Sequence, residues 1–226
     1  MRGAAASAPF VYAGAYIMHP RILAGEKPEP FSMNRVWDQA IAAGRIAVTF
    51  TLFSGSFTPI LACTSDDAGA NWSAAVPVTR LNASSQGSTP MFLPDGRLAV
   101  TYWNFGSNFA NTNDDTIEVA ISRDGGASFD APVVVGNVTP FDTAGIRDGY
   151  FLPVAAADVS DGKLFVACQA MFRGSPRILF SRSTDGGTTW SPFVPVDDAP
   201  TGTAVFNPAI DVSPDGSTVV IAFADQ

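Results

Sequence analysis

SRDGGASF, at residues 122–129, decides the fold because the same pattern occurs three times in the chain. SDDAGANW occupies residues 65–72 and STDGGTTW occupies residues 183–190. Each stretch reads Ser-x-Asp-x-Gly-x-x-aromatic, with its aspartate at position 67, 124 or 185, at intervals of 57 and 61 residues. A recurring period of this size indicates a repeat architecture rather than a single irregular core.

The residues around each box repeat as well. WSAAVPV, FDAPVVV and WSPFVPV run on from the three box aromatics, and a turn with a following strand recurs as LPDGRLAVTYW, SDGKLFVACQ and SPDGSTVVIAF. Short segments rich in Val, Ile and Phe between Gly, Asp and Pro turns are typical of antiparallel sheet. We therefore predict four strands per unit. Predicted first strands are 150–157 and 205–212; a second strand is 97–103; third strands are 116–123 and 177–183; a fourth strand is 131–136.

The box has a mechanical interpretation. An aspartate in a tight turn accepts hydrogen bonds from backbone N–H groups two residues further on, and serine does so more weakly. Glycine supplies the positive φ angle that closes the turn. The aromatic residue is expected to lie buried between sheets.

These three segments resemble the Asp-box, or bacterial neuraminidase repeat, and each unit resembles a blade of the sialidase superfamily propeller. The resemblance covers nearly the whole chain. It implies an all-β fold, a β-propeller of four-stranded antiparallel blades with Asp-box turns, and six blades in the complete family propeller. It also implies that the boxes lie at the outer edge, away from the central site, so that their aspartates are not catalytic.

The repeat predicts three complete blades with partial blades at both ends of one domain, residues 1–226. The predicted boundaries are 1–30 (partial), 31–80, 81–136, 137–197 and 198–226 (partial). Two interpretations remain open: the chain is a fragment that lacks blades of a longer parent, or its loose end strands combine into a fourth blade. The first is favoured, because a composite blade would lack its third strand and leave an open edge.

Composition excludes several classes of protein. The 226 residues carry 21 Asp and Glu against 13 Lys and Arg, a net charge of −8, which opposes binding to nucleic acid. No apolar run has the length of a membrane span. The start, MRGAAASAPFVYAGAYIM, is not expected to be a signal peptide, because Pro9 interrupts it and no Leu-rich centre is present. Cys63 and Cys168 are expected to be buried free thiols.

The resemblance also implies a set of site residues: three arginines for a substrate carboxylate, a tyrosine activated by a glutamate, and an acid/base aspartate. Guanidinium groups bind carboxylates in a bidentate manner, and a carboxylic acid protonates a departing glycosidic oxygen. Arg147 and Asp148 precede a predicted first strand, and Arg35 and Asp38 flank Trp37. Asp115 ends the longest loop, 104–115. For each of these residues a structural role in a loop remains the alternative.

Other residues are less favoured. Glu118 lies between Ile117 and Val119 on a predicted strand, where alternation predicts that it faces solvent instead of activating a tyrosine. His19 is the only histidine, so neither a histidine-based metal site nor a Ser-His-Asp triad is expected. No cofactor is expected.

Two functions from different classes follow. In the first, a sialidase-like propeller acts on glycans or glycoconjugates, with hydrolysis of terminal sugars of the exo-α-sialidase type. In the second, a non-catalytic propeller binds glycan or protein; an inactive fragment of a longer enzyme is a third hypothesis. The resemblance implies a secreted or cell-surface location.

Overall fold

The structure is a computed structural model that describes residues 44–106, 114–141, 143, 152–213 and 215–226. Strands are the only regular elements of more than one residue in this part of the chain. They are β1 (Ile46–Thr51), β2 (Ile60–Ser65), β3 (Val76–Pro77), β4 (Ser85–Phe92), β5 (Leu98–Asn104), β6 (Thr116–Ser122), β7 (Val133–Asn137), β8 (Val154–Ala157), β9 (Leu164–Phe172), β10 (Ser175–Ser183), β11 (Val194–Pro195), β12 (Val205–Val212) and β13 (Val219–Asp225).

Strands that follow one another in the chain pair antiparallel, so the described residues form four meandering sheets. Sheet 1 is β1-β2-β3, sheet 2 is β4-β5-β6-β7, sheet 3 is β8-β9-β10-β11, and sheet 4 is β12-β13. The prediction of an all-β fold with four-stranded antiparallel sheets is confirmed, and the predicted strand 205–212 coincides with β12.

The sheets pack face to face, and this stacking buries the middle strands on both faces. Sheet 2 meets sheet 1 through a cluster that includes Ile60, Val100 and Tyr102. It meets sheet 3 through a larger cluster that includes Trp103 and Cys168. Residues of β5 and β6 are therefore buried almost without alternation, as in other strands covered on both sides.

Each box folds around two acceptors. The hydroxyls of Ser65, Ser122 and Ser183 accept a hydrogen bond from the backbone N–H of the box glycine four residues later, at 2.6–2.8 Å. Asp67, Asp124 and Asp185 accept from the N–H of Asn71, Ser128 and Thr189, at 2.8–2.9 Å. The expected offset of two residues is present for serine, whose hydroxyl also accepts a long bond of 3.4 Å from the N–H of Asp67 and of Asp185. It was wrong for aspartate, because the box spans a wider turn in which the carboxylate accepts from the residue four positions ahead.

The box aromatics differ in burial. Phe129 and Trp190 pack against the clusters between sheets, but Trp72 is 45% exposed, so its predicted burial was wrong. Its indole N–H instead donates to the carbonyl of Gly69 at 3.1 Å, and Trp190 makes the same bond to Gly187 at 3.2 Å. The box aromatic thus closes its own turn even where no sheet covers it.

Two arginines connect sheets 1 and 2 each to the box of the sheet that follows. Arg45, just before β1, donates to the carbonyl of Gly125 at 3.0 Å, and Arg97, just before β5, donates to that of Gly186 at 3.3 Å. Both bonds join residues far apart in sequence. They tie neighbouring sheets together at the ends that carry the boxes.

Both cysteines are free thiols. Cys168 is buried, and burial raises the pKa of its thiol; Cys63 is only partly buried, so the expectation of two buried thiols was wrong for Cys63. Within the described residues, no helix has the length and apolar character needed to cross a bilayer.

Candidate functional site

The polar side chains of sheet 2 that line a pocket lie at the end of the sheet opposite the box. Strand β6 runs from Thr116 to Ser122, the first residue of the second box. The beginning of β6 and the end of β5 are therefore far from the box and adjacent to the connection between these two strands.

A tyrosine–glutamate pair occupies this end. Tyr102 and Glu118 are directly opposite in the register of β5 and β6, and the phenol donates to Glu118 Oε2 at 2.9 Å. The other carboxylate oxygen accepts from Asn104 Nδ2 at 2.8 Å and from the Thr116 hydroxyl at 3.1 Å. The predicted solvent-facing position of Glu118 was wrong: it is 9% exposed, because sheet 1 covers the face that alternation assigned to solvent.

Burial raises the pKa of Tyr102, and the charge and hydrogen bond of Glu118 raise it further. Tyr102 therefore remains a neutral phenol that donates to the carboxylate. Because its side chain is only 1% exposed, Tyr102 presents almost no surface to a ligand.

A pocket of about 380 Å³ opens beside this pair, between the loop that leaves sheet 1 and the first strands of sheet 2. Its wall carries guanidinium, amide, hydroxyl and carboxylate groups. The lining residues are Thr79, Arg80, Asn82, Ala83, Ser84, Ser85, Tyr102, Asn104, Gly106, Glu118 and Pro132.

One group in this wall is unsatisfied. Ser85 is fully buried, and its hydroxyl has no hydrogen-bond partner within the described part of the chain. A buried hydroxyl without a partner is costly, and native structures contain few of them. Because Ser85 has no exposed surface, its hydroxyl is out of reach of a ligand in the pocket, and the accessible polar groups of the wall are those of Arg80, Asn82 and Asn104.

Asp115 is the one predicted site residue that the structure describes. It is 1% exposed, its Oδ2 accepts from Trp103 Nε1 at 3.2 Å, and its Oδ1 has no hydrogen-bond partner within the described residues. Burial raises the pKa of this carboxyl group; the Trp103 bond opposes the effect and the charge of Asp114 adds to it. The raised pKa is in the direction required of a general acid.

Asp115 and Glu118 do not share one site. Tyr102 and Trp103 are neighbours on β5, so their side chains point to opposite faces. Tyr102 belongs to the cluster against sheet 1, and Trp103 to the cluster against sheet 3. The carboxyl groups bonded to them are consequently separated by the sheet itself.

The remaining predicted site residues, Arg35, Asp38, Arg147 and Asp148, lie outside the described residues. Sequence reasoning missed Arg80, Ser85 and the burial of Glu118. The signal available for Glu118 was its place in a third strand: apart from Glu118, every residue between Thr116 and Ser122 is apolar, which is typical of a strand covered on both faces.

A second polar pocket, of about 540 Å³, lies at the corresponding end of sheet 3. Its arginine is already engaged, since Arg177 Nη1 donates to Asp197 Oδ1 at 2.7 Å and to the Ala199 carbonyl at 2.6 Å. Asp197 also accepts from the backbone N–H of Ile178. This network holds the connection from β11 to β12 in place. Arg173 is exposed and lies at the rim of the pocket.

Among the described residues, no group of three or more His, Cys, Asp or Glu side chains is arranged to hold a metal ion.

Comparison with known families and structures adds the following. The BNR/Asp-box repeat model matches residues 181–192, which contain the third box. A search of curated protein sequences gives no significant match. The solved structures that resemble the chain include the following three. A protein of unknown function from Dyadobacter fermentans has a TM-score of 0.55 and 16% identity and covers 81% of this chain and 59% of its own. An α-L-arabinanase from Penicillium chrysogenum has a TM-score of 0.52 and 15% identity, over 80% and 56%. An intramolecular trans-sialidase from Ruminococcus gnavus has a TM-score of 0.46 and 22% identity, over 68% and 30%.

The first two likenesses establish the fold. This chain spans between half and two thirds of the length of those two structures. The match of the third box confirms the repeat that was inferred from the sequence.

Proposed function

We propose that this Asp-box propeller chain acts on glycans, which it binds in the pocket at the end of sheet 2 distant from the box. The observation that carries the proposal is the group of accessible polar side chains in this pocket, Arg80, Asn82 and Asn104. Sugars present many hydroxyl groups, each a donor and an acceptor, and a site that binds them orients them with a few well-placed polar groups.

These groups suit such a ligand. Arg80 and Asn82 are exposed on the loop before β4, and Asn104 is held in position by its bond to Glu118. Amide groups complement sugar hydroxyls, and a guanidinium group suits a carboxylate on an acidic sugar. Tyr102 and Glu118 form the floor of the pocket. There Glu118 holds Asn104 in position, and neither residue reacts with the ligand.

The finer proposal is hydrolysis of terminal sugars of the exo-α-sialidase type. Asp115 supports it, because burial raises the pKa of its carboxyl group, which is the shift that a general acid requires. We assign the carboxylate-binding role to Arg35 and Arg147, with Asp38 and Asp148 close to them in sequence. Binding without catalysis is the alternative, since Asp115 and the Ser85 pocket are on opposite faces of sheet 2.

Binding is tested by screening the purified chain on an array of sialylated and neutral glycans and titrating the best ligand by calorimetry. Arg80→Ala should weaken binding by about tenfold, the value of one charge-assisted hydrogen bond to a ligand. Because Arg80 is exposed, the same change should not lower stability. Arg123→Ala, at an exposed position of the second box, is the matched control. Unchanged affinity in Arg80→Ala would exclude this pocket.

Catalysis is tested separately with fluorogenic sialosides and arabinofuranosides. Turnover of the sialoside that disappears in Arg147→Ala and in Asp115→Asn would support the exo-sialidase form. Glycan binding without turnover would support a binding propeller. The absence of both would support a protein-binding or inactive chain.

A location outside the cell or at its surface is part of the proposal, because glycoconjugates are concentrated there. The coverage of related structures, 59% and 56% of their lengths, supports the further proposal that blades from a longer parent chain complete the propeller.

A further inference from the structure

The hairpin between β9 and β10 turns through two residues, Arg173 and Gly174, which follow the pair formed by Phe172 and Ser175. Both turn residues have positive φ angles, of 51° and 83°. Two positive φ angles in a two-residue hairpin are typical of the type I′ turn, whose first position favours asparagine, aspartate or glycine. An arginine is strained there. The backbone of the turn therefore gives no reason for an arginine at position 173.

The side chain of Arg173 supplies a reason. Its guanidinium group lies over the ring of Phe172, 5.3 Å from the ring centroid, and this contact holds a cation in place. Within the described residues, no carboxylate forms an ion pair with it. Arg173 is exposed and lines the pocket of about 540 Å³ at the end of sheet 3. Its N–H groups are therefore available to a ligand in this pocket.

Arg177 adds further donors in a fixed position. The side chain of Asp197 is fully buried and accepts from Arg177 Nη1 and from the backbone N–H groups of Ile178 and Ala199, at 2.7, 2.8 and 3.2 Å. Arg177 makes this bond and the bond to the Ala199 carbonyl through Nη1 alone. Its Nε and Nη2 have no hydrogen-bond partner in the described part of the chain. The buried carboxylate thus orients a guanidinium group whose other donors remain unused.

The balance of groups in the pocket indicates the class of ligand. Asp198 is exposed on the pocket wall, where its carboxylate opposes an anion, just as Arg173 opposes a cation. Ser175 and Thr201 contribute hydroxyl groups, which both donate and accept. Pro195 adds exposed apolar surface. A neutral sugar has the matching properties, since its hydroxyl groups donate and accept and its C–H groups are apolar.

The strand residues of this pocket lie on the face of sheet 3 that is directed towards sheet 2. Leu179 belongs to the cluster between these two sheets, and Arg177 shares its face because side chains alternate along β10. Sheet 4 packs against the opposite face, where Phe180, Ile210 and Val219 surround another cluster. The pocket is thus formed by sheet 3 and the segment that leaves it; neither β12 nor β13, the two strands described for sheet 4, contributes a lining residue.

We propose that this pocket is a second carbohydrate-binding site, specific for a neutral oligosaccharide. Arg173 and Arg177 donate hydrogen bonds to the sugar, and Asp198 accepts from its hydroxyl groups. The inference shares the ligand class of the proposed function but none of the residues of the pocket in sheet 2. Either site can therefore fail its test without the other.

The site is mapped by nuclear magnetic resonance of the full ¹⁵N-labelled chain, titrated with xylotriose, cellotriose and arabinotriose, and with trigalacturonate as the acidic probe. At least one neutral trisaccharide should shift the amide signals of Gly174, Ser175 and Thr201 in a saturable manner, with trigalacturonate binding more weakly. The same shifts should persist in Arg80→Ala, in which the pocket of sheet 2 is impaired. Shifts confined to the surroundings of Asn82 would support the pocket of sheet 2 alone and overturn the second site.

Arg173→Asn separates binding from folding, because asparagine is favoured at this turn position and removes the guanidinium group. Its thermal stability should equal or exceed that of the wild type, while its affinity for the sugar falls by about tenfold, the value of a charge-assisted hydrogen bond. Arg182→Asn makes the same change of charge at an exposed position near the box end of β10 and is the matched control, with affinity unchanged.

Equal affinity of the wild type and Arg173→Asn would overturn the proposal. So would the absence of saturable shifts with all three neutral sugars, or tighter binding of trigalacturonate than of any of them. If Arg173→Asn does not fold, the amide shifts of the wild type and of Arg80→Ala decide the question.

Discussion

Tyr102 and Glu118 face each other across β5 and β6, and the phenol donates a 2.9 Å hydrogen bond to the carboxylate. Both side chains lie in the contact between sheets 1 and 2. A carboxylate in such a place is tolerated because three donors from its own sheet satisfy it. The pair therefore forms a rigid polar floor for the adjacent pocket.

We expect Tyr102→Phe to lower the free energy of unfolding by about 1–1.5 kcal/mol, because one donor to Glu118 is lost while two remain. Glu118→Ala should cost about 2–3 kcal/mol, since it leaves the buried phenol without its acceptor and removes packing. Urea unfolding followed by circular dichroism measures both values. A double-mutant cycle that gives no coupling between the two positions would show that the bond contributes nothing.

The architecture can be predicted from the sequence because the segments that determine it are repeated. Three copies of the box and of the turn before β5, β9 and β13 locate the strands, and β12 and β6 were predicted within a residue of their bounds. Two of the errors share one physical origin. Glu118 and Trp72 were assigned from local pattern alone, but their exposure depends on whether another sheet covers them.

The candidate site was harder to predict from the sequence for the same reason. A pocket forms where the loop 79–84 approaches β5 and β6 from a different sheet, and no spacing in the sequence records that approach. The unpartnered hydroxyl of Ser85 likewise becomes visible only when every neighbouring donor and acceptor has been placed. Asp115 was found from its loop, although its burial was not predicted.

The boxes should make the fold acid-sensitive. Hydrogen bonds from box N–H and hydroxyl groups lower the pKa of Asp67, Asp124 and Asp185 from 3.8 to about 2. A carboxyl group whose pKa is lowered on folding contributes stability that is fully present above pH 3.8 and is lost as the pH falls through about 2. The urea midpoint should accordingly fall across this window. Asp185→Asn should show a shallower fall, and an identical slope in the variant would contradict the assignment.

The pH dependence of stability that Asp115 contributes should have the opposite sign. Because its pKa is raised on folding, the folded state binds the proton more tightly, so its contribution is largest at low pH and decreases as the pH rises from 3.8 through the raised pKa. Asp115→Asn keeps an acceptor for Trp103 without the charge. The variant should therefore be more stable than the wild type at pH 7, and the difference should shrink towards pH 4. A constant difference across this range would show that Asp115 is not desolvated.

The residue before each box glycine has a left-handed backbone, and only the first box places a side chain there. Ala68 has a φ of 58°, whereas Gly125 and Gly186 occupy the same position with φ of 75° and 69°. A left-handed alanine is strained by about 1–2 kcal/mol, of which the greater freedom of an unfolded glycine offsets part. Ala68→Gly should therefore raise the free energy of unfolding by about 0.5–1 kcal/mol.

Gly186→Ala is the informative opposite change, because its methyl group would meet the guanidinium of Arg97 as well as the strained backbone. We expect a loss of about 2 kcal/mol or more, from the backbone strain together with the displaced hydrogen bond to the Gly186 carbonyl. The double variant Arg97→Ala with Gly186→Ala separates these causes. Removing the arginine should make the additional cost of Gly186→Ala smaller, whereas an unchanged cost would assign the whole effect to the backbone.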